Sequence, residues 1–158
     1  FHADSIDFAD SLKYRTPEGD TVYGGGGIMP DYFIPADTAN HSEFLSQVTN
    51  KGLIYEFAFN YSDTHRDLLE QYKTPKALNK HLNSEQIYDQ FLDYIYNQNI
   101  SREVEGVQKS KRIINTRVKA YIARNILNNE GYYPTIAKID HTLQKTINIL
   151  KEKEPKTN

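Results

Sequence analysis

Near residue 38 the chain changes character, and any fold has to serve two unlike pieces. Residues 1 to 38 carry seven acids, Asp4, Asp7, Asp10, Glu18, Asp20, Asp31 and Asp37, against only Lys13 and Arg15, whereas the remainder carries 17 basic and 14 acidic residues. Five of the eight glycines fall in the first piece, four of them in succession at Gly24 to Gly27. The first piece reads as β and the second as helices. The helical part shows no internal repeat, which argues against a solenoid.

In the first piece, Leu12-Lys13-Tyr14-Arg15 alternates apolar and basic residues, and Thr16-Pro17-Glu18-Gly19 fits a type I turn with Pro at its second position. Thr21-Val22-Tyr23 then returns as the partner strand. After the glycines, Tyr32-Phe33-Ile34 is a short apolar run closed by Pro35, which suits a strand at the end or edge of a sheet because Pro cannot donate to a ladder. An isolated hairpin is marginal in water. Three short strands are therefore expected to pack on a sheet, and nothing else in this chain provides one.

The second piece predicts about five helices, near 41 to 51, 53 to 72, 84 to 98, 102 to 128 and 134 to 151, with a short helical turn after Pro75. The boundaries come from punctuation: an Asn40/Glu43 capping-box spacing, starts at Thr74-Pro75, Ser84 and Ser101-Arg102-Glu103, and Pro134 in a first helical turn. Gly52 and Gly131 follow periodic segments where a left-handed cap would fall. Leu53 to Phe59 alternates like a strand, but Ile54, Ala58, Tyr61, His65, Leu68 and Tyr72 keep a helical period, so helix is preferred. Along 109 to 127, Ile114, Val118, Tyr121, Ile122 and Ile126 fall on one side of a helix. Lys109, Arg112, Arg117, Lys119 and Arg124 fall on the other, and only Lys111 breaks the pattern. Ile136, Ile139, Leu143, Ile147 and Leu150 make a narrow seam suited to another helix. The charged tail from Lys151 to Lys156 is expected to fray, leaving 154 to 158 disordered.

Composition bounds the function. The 158 residues are 38% hydrophobic with a mean hydropathy of -0.71, enough for one core. No apolar run approaches the roughly 20 residues that span a bilayer. No signal peptide opens the chain, whose start is Phe1-His2-Ala3-Asp4. That start lacks Met, so the chain is expected to be a piece of something longer, and the missing leader says nothing about compartment. The absence of cysteine excludes disulfides, thiolate metal sites and a cysteine nucleophile. A net charge of -2 gives no bulk attraction to nucleic acid or membrane.

Most motifs fail on inspection. The glycine run ends Gly27-Ile28-Met29-Pro30 where a P-loop needs Gly-Lys-Ser/Thr, and a dinucleotide fingerprint from Gly24 would need Gly at Met29. What remains is conformational freedom for a tight crossing between strands. His65-Arg66-Asp67 begins like a kinase catalytic loop, but Tyr72 stands where a metal-binding Asn is required. The histidines, His2, His41, His65, His81 and His141, include no pair spaced to bind a metal on one helix face. Asp4, Asp7 and Asp10 lack calcium-loop chemistry and read as a solvated linker. Ser110-Lys111 lies in a polar run with its members on different sides of a helix, and Thr142 and Lys145 flank an apolar seam. The basic helix face, with six basic residues and no acid in 107 to 128, could meet phosphate backbones. It reads equally as a solvated face, since no aromatic residue sits among the basic positions to stack on bases. The residues thus assign no catalytic, cofactor-binding or metal-binding position to this chain, and no nucleic-acid partner.

The stretch from Leu12 to Asp31, LKYRTPEGDTVYGGGGIMPD, resembles the segment that ends the catalytic domain of the C-terminal processing, or tail-specific, serine peptidases. In that family a hairpin with a Thr-Pro-x-Gly-type turn precedes a Gly-x-Gly-Ile-x-Pro-Asp stretch and a last apolar strand, here Tyr32-Phe33-Ile34-Pro35. The helical part, including Lys119-Ala120-Tyr121-Ile122-Ala123-Arg124-Asn125-Ile126-Leu127, is similar to the C-terminal extension of one bacterial branch. The resemblance is specific over 12 to 38 and weaker to about 150. It implies a Ser/Lys endopeptidase, a hydrolase that recognises extended, often apolar protein C-termini with the help of a PDZ domain. Both the Ser/Lys dyad and that PDZ domain lie upstream in the family, and no position here matches the dyad. The chain is then expected to be mainly α: residues 1 to 38 end the α/β catalytic domain, and 39 to 153 form a non-catalytic helical domain for substrate positioning, gating or assembly, with homo-oligomers among its contacts. The parent would act in the periplasm or cell envelope. The alternative is a stand-alone helical protein-interaction module whose β arm augments a partner's sheet.

Overall fold

The computed structural model describes residues 13–19, 21–24, 32–95, 98, 100 and 104–153. The chain divides into two compact units, 1–36 and 37–158. The expectations for Asp4, Asp7 and Asp10, for Gly25 to Asp31, for the start at Ser101-Arg102-Glu103 and for the tail 154–158 lie outside the described residues.

In the first unit, β1 (Lys13–Arg15) pairs antiparallel with β2 (Thr21–Tyr23), with Tyr14 opposite Val22. The connecting turn closes through the Gly19 amide donating to the Thr16 carbonyl at 2.9 Å. Pro17 supplies the fixed φ of the second turn position and Gly19 takes φ +96°, which a side chain resists. The expected third strand is not formed: Tyr32, Phe33 and Ile34 lie in irregular backbone, with Tyr32 and Phe33 exposed. A ladder needs a neighbour with free N–H and C=O groups, and the described residues pair only β1 with β2.

The second unit is helical: α1 (Glu43–Asn50), α2 (Leu53–Thr64), α3 (Arg66–Leu69), α4 (Pro75–Ser84), α5 (Ile87–Tyr94), α6 (Val104–Ile136), a 3-10 turn (Ala137–Ile139) and α7 (His141–Lys153). Seven α-helices among the described residues replace the five expected. The 53 to 72 segment breaks at His65 into α2 and α3. The turn after Pro75 is a full helix, started as expected by Thr74, whose side chain accepts from the Ala77 amide at 3.3 Å, with Pro75 in the first turn. Ser84 therefore ends a helix instead of starting one, and its hydroxyl donates back to the His81 carbonyl at 2.7 Å. The cap of α1 is Ser42, which accepts from the Leu45 amide at 3.1 Å, so the proposed Asn40/Glu43 box is displaced by two residues.

α6 is the axis of this unit and touches α1, α2, α4, α5 and the 3-10 turn. Its predicted apolar face is the core: Ile114, Val118 and Ile122 are fully buried, and Tyr121 and Ile126 are partly buried. Around them pack Phe44 and Val48 of α1, Phe57 and Ala58 of α2, Leu78 and Leu82 of α4, and Phe91 of α5. Each large apolar side chain buried this way contributes about 1.5–3 kcal/mol. A hydroxyl network ties the start of α1 to α6. Ser42 donates to the Gly106 carbonyl at 3.0 Å, and buried Ser110 lies 2.7 Å from Ser42 and 2.9 Å from the Asn40 carbonyl, to which it can donate.

The helix is interrupted at Asn128, which adopts φ 56°, ψ -147°. Gly52 is in the expected left-handed conformation with φ +71°, but Gly131 is not a cap. A Cβ on Gly131 would collide with the Ala123 carbonyl oxygen and come within 2.8 Å of Leu127 Cβ. Glycine at 131 is thus required by close approach, against the fully buried Ala123. Beyond the break, Thr135 donates to the Gly131 carbonyl at 2.9 Å and accepts from buried Asn79 of α4 at 2.8 Å. Pro134 lies inside this arm, not in the first turn of the last helix. The last helix starts later, where Asp140 accepts from the Leu143 amide at 2.9 Å, an N-cap the periodicity did not reveal.

Candidate functional site

The basic residues of α6 do not form one open stripe. Because α6 is surrounded, its cations are shared out among different neighbours. Lys111 sits over the Tyr88 ring at 5.2 Å, Lys119 donates to Asn83 of α4, and Arg124 lies over Tyr132 at 5.5 Å. Arg112 donates to the Lys138 carbonyl at 3.0 Å, and half-buried Arg117 donates to Thr49 Oγ1 of α1 at 3.2 Å.

Two of these, Arg112 and Arg117, line a cleft of ≈ 390 Å³ closed by Lys138 of the 3-10 turn, by Asp140, His141 and Gln144 at the start of α7, and by Asp37, Asn40 and His41. Its rim is held in place. Gln144 donates to the Ala137 carbonyl at 2.9 Å, Asp140 caps α7, and Asp37 accepts from the Ala39 amide at 3.0 Å. Among the described residues no carboxylate lies within ion-pair distance of Arg112, Arg117 or Lys138, the ion pairs formed being those of Arg66 with Asp63 and Glu70 at 3.8 Å. Burial, followed by the charge on Lys138, lowers the pKa of Lys119, so positive charge is crowded on this side of α6. A second cleft, lined by Lys76, Lys80, Asn79 and Pro134, shares Lys138 with the first.

A separate feature is a row of rings. Phe59, Tyr55, Tyr121, Tyr132 and Tyr133 follow one another at centroid separations of 6.4, 5.5, 5.8 and 5.4 Å. Tyr55, Phe59 and Tyr133 are about half exposed. Burial, then the neighbouring Tyr121, raises the Tyr132 pKa, while Arg124 and Arg117 oppose the shift. The sequence showed no aromatic residue among the basic positions. The return of the chain after Asn128 places Tyr132 under Arg124.

The pairs weighed for nucleophilic chemistry are not assembled. Ser110 is fully buried in the hydroxyl network, while Lys111 faces Tyr88. Thr142 and Lys145 are both exposed. His65 stacks on Tyr61 at 4.3 Å and His81 on Tyr72 at 4.7 Å, which accounts for these two rings as packing. His41 and His141, far apart in the chain, meet at the cleft, and no local spacing signals that. Among the described residues no three acidic or imidazole side chains are placed to hold a metal ion, and no helix is long and apolar enough to cross a membrane.

A family of unknown function, DUF8443, matches residues 44–128, from the start of α1 to the break in α6. That span is over half of the 158 residues, and the chain belongs to this family. No curated protein and no solved structure matches it.

Proposed function

We propose that this member of the family is the C-terminal, non-catalytic part of a C-terminal processing endopeptidase, with its helical unit positioning protein substrates for a Ser/Lys site located upstream. The observation that carries the reading is the Leu12 to Pro35 pattern. It is supported by the small size of the paired sheet and by the exposure of Tyr14 and Val22 at 58% and 47%. Two three-residue strands with exposed apolar side chains are too small to be stable alone, as expected of strands that complete another sheet. In this reading residues 1–38 end the catalytic domain, the PDZ domain lies further upstream, and the protein acts in the periplasm or cell envelope.

The test is the reading frame upstream of Phe1. It is expected to encode a larger α/β domain containing a Ser and a Lys. The longer protein is expected to degrade an unfolded substrate with an apolar C-terminus and to lose that activity when the Ser is replaced by Ala. An upstream frame without such a domain removes the reading, as does activity that survives the replacement.

The exposed aromatic row favours a second reading, a helical protein-interaction module with no enzymatic role. Tyrosine and phenylalanine give large contact areas at low entropic cost. The helical unit has its own core, so it does not need a catalytic domain to fold.

A further inference from the structure

We propose that the cleft between α6, the 3-10 turn and the start of α7 binds a phosphate group, as inorganic phosphate or a phosphomonoester, through Arg112, Arg117 and Lys138. The proposal is independent of the peptidase reading. Three cations from two elements line one concavity of ≈ 390 Å³, large enough for a small phosphorylated molecule. Like charges gathered without a counter-charge repel one another, and a stable fold ordinarily places acids between them. Here the lining also holds two carboxylates, fewer than its three cations, so the cleft stays net positive. Asp37 and Asp140 each accept from a backbone amide and stand beyond ion-pair distance of the three cations.

The guanidinium groups are also prepared for an anion. Arg112 is tethered by one bond to the Lys138 carbonyl and Arg117 by one bond to Thr49. Each guanidinium has five N–H donors in a planar fork, so both keep donors for a tetrahedral oxyanion while their long side chains are already restrained. Less rotamer entropy is then lost on binding. A phosphomonoester, with a charge of about -1.5 to -2 at neutral pH, matches three cations better than a single carboxylate does. The lining has no aromatic ring besides the two imidazoles, so the site favours a phosphate group over a stacked base. The second cleft, with Lys76 and Lys80, offers flexible ammonium groups and no guanidinium.

Calorimetric titration of the chain with inorganic phosphate and, separately, with glycerol 3-phosphate tests this, alongside the thermal midpoint with and without each. Saturable binding and a rise in midpoint are expected. The stronger of the two probes distinguishes free phosphate from an ester. Arg112→Gln and Arg117→Gln are each expected to weaken binding about tenfold, the effect of losing a charge-assisted hydrogen bond. Lys138→Gln is expected to weaken it less, and Lys80→Gln and Lys109→Gln to leave it unchanged. Arg117→Lys keeps the charge and loses the fork, so an intermediate affinity is expected even if the Gln variant does not fold. Absence of heat and of any midpoint shift at phosphate on the order of 10 mM would overturn the proposal. So would equal losses at Lys80 and Arg112, or tighter binding of duplex DNA that both variants weaken, since either marks a diffuse polyanion surface.

Discussion

α6 and α7 carry equally regular apolar stripes, and only one of them is buried. Ile114, Val118 and Ile122 of α6 are 0% exposed, whereas Leu143 and Leu150 of α7 are 39% and 59% exposed. The contact α7 makes is chiefly with the 3-10 turn that precedes it. A stripe at helical spacing states that a face would gain by being covered. It does not state that the same chain supplies the cover. α6 is covered because short connections fold α1, α2, α4 and α5 back around it, while the 3-10 turn packs on α6 and α7 contacts chiefly that turn.

Substitutions measure the contrast. The largest effect is expected for Ile122→Ala, a loss of about 2–5 kcal/mol in denaturant unfolding, because it leaves a cavity among fully buried neighbours. A loss no larger than that of a surface variant would mean α6 is not the core helix. Next comes Gly131→Ala, expected to cost about 1–3 kcal/mol by overpacking against Ala123 and Leu127. A neutral result would show that the chain after Asn128 does not return closely onto α6.

A smaller, pH-dependent effect is expected at Tyr88, whose hydroxyl donates to the Val107 carbonyl at 3.0 Å and whose pKa is raised to about 12, by burial and then by Asp89. In the unfolded chain this phenol loses its proton near its ordinary value of 10.0, so the folded state holds a proton that the unfolded state has released. The contribution of Tyr88 is fully present below pH 10 and is lost as pH rises toward about 12. Tyr88→Phe is expected to flatten part of that alkaline fall in the unfolding midpoint. Tyr94, raised to about 12 by burial and then by Glu56, accounts for a further part. An unchanged slope would show that Tyr88 is not held out of water. The smallest effect is expected for Leu150→Ala, within about 0.5 kcal/mol, as for exposed sites generally. A core-sized loss there would show that α7 is covered in solution and would erase the contrast with α6.

Legibility followed the range of the interactions involved. The β-hairpin turn, the helix start at Thr74-Pro75 and the buried face of α6 were readable, because each is written within a few turns of chain. The end of that helix at 128 was readable too, and the structure breaks there, at Asn128. What the sequence did not show is how the returning segment is held, by Gly131 against Ala123 and by Asn79 with Thr135 across 56 residues. What was misplaced is the start of the last helix, which passed from Pro134 to the Asp140 cap. The cleft was hidden for the same reason. Arg112 and Arg117 were visible as members of a basic face, but their meeting with Lys138, His41 and His141 requires the chain to turn twice.

The sequence by itself determined that two unlike pieces are joined near residue 38, that the second is helical, and which side of α6 is apolar. It did so because local backbone preference and side-chain periodicity act within a few residues. Tertiary structure alone decided where the last helix starts, which apolar stripe is buried and which cations share a cleft. Those outcomes depend on close packing between residues distant in the chain, where the size of one side chain, such as the missing Cβ of Gly131, decides whether two segments can meet.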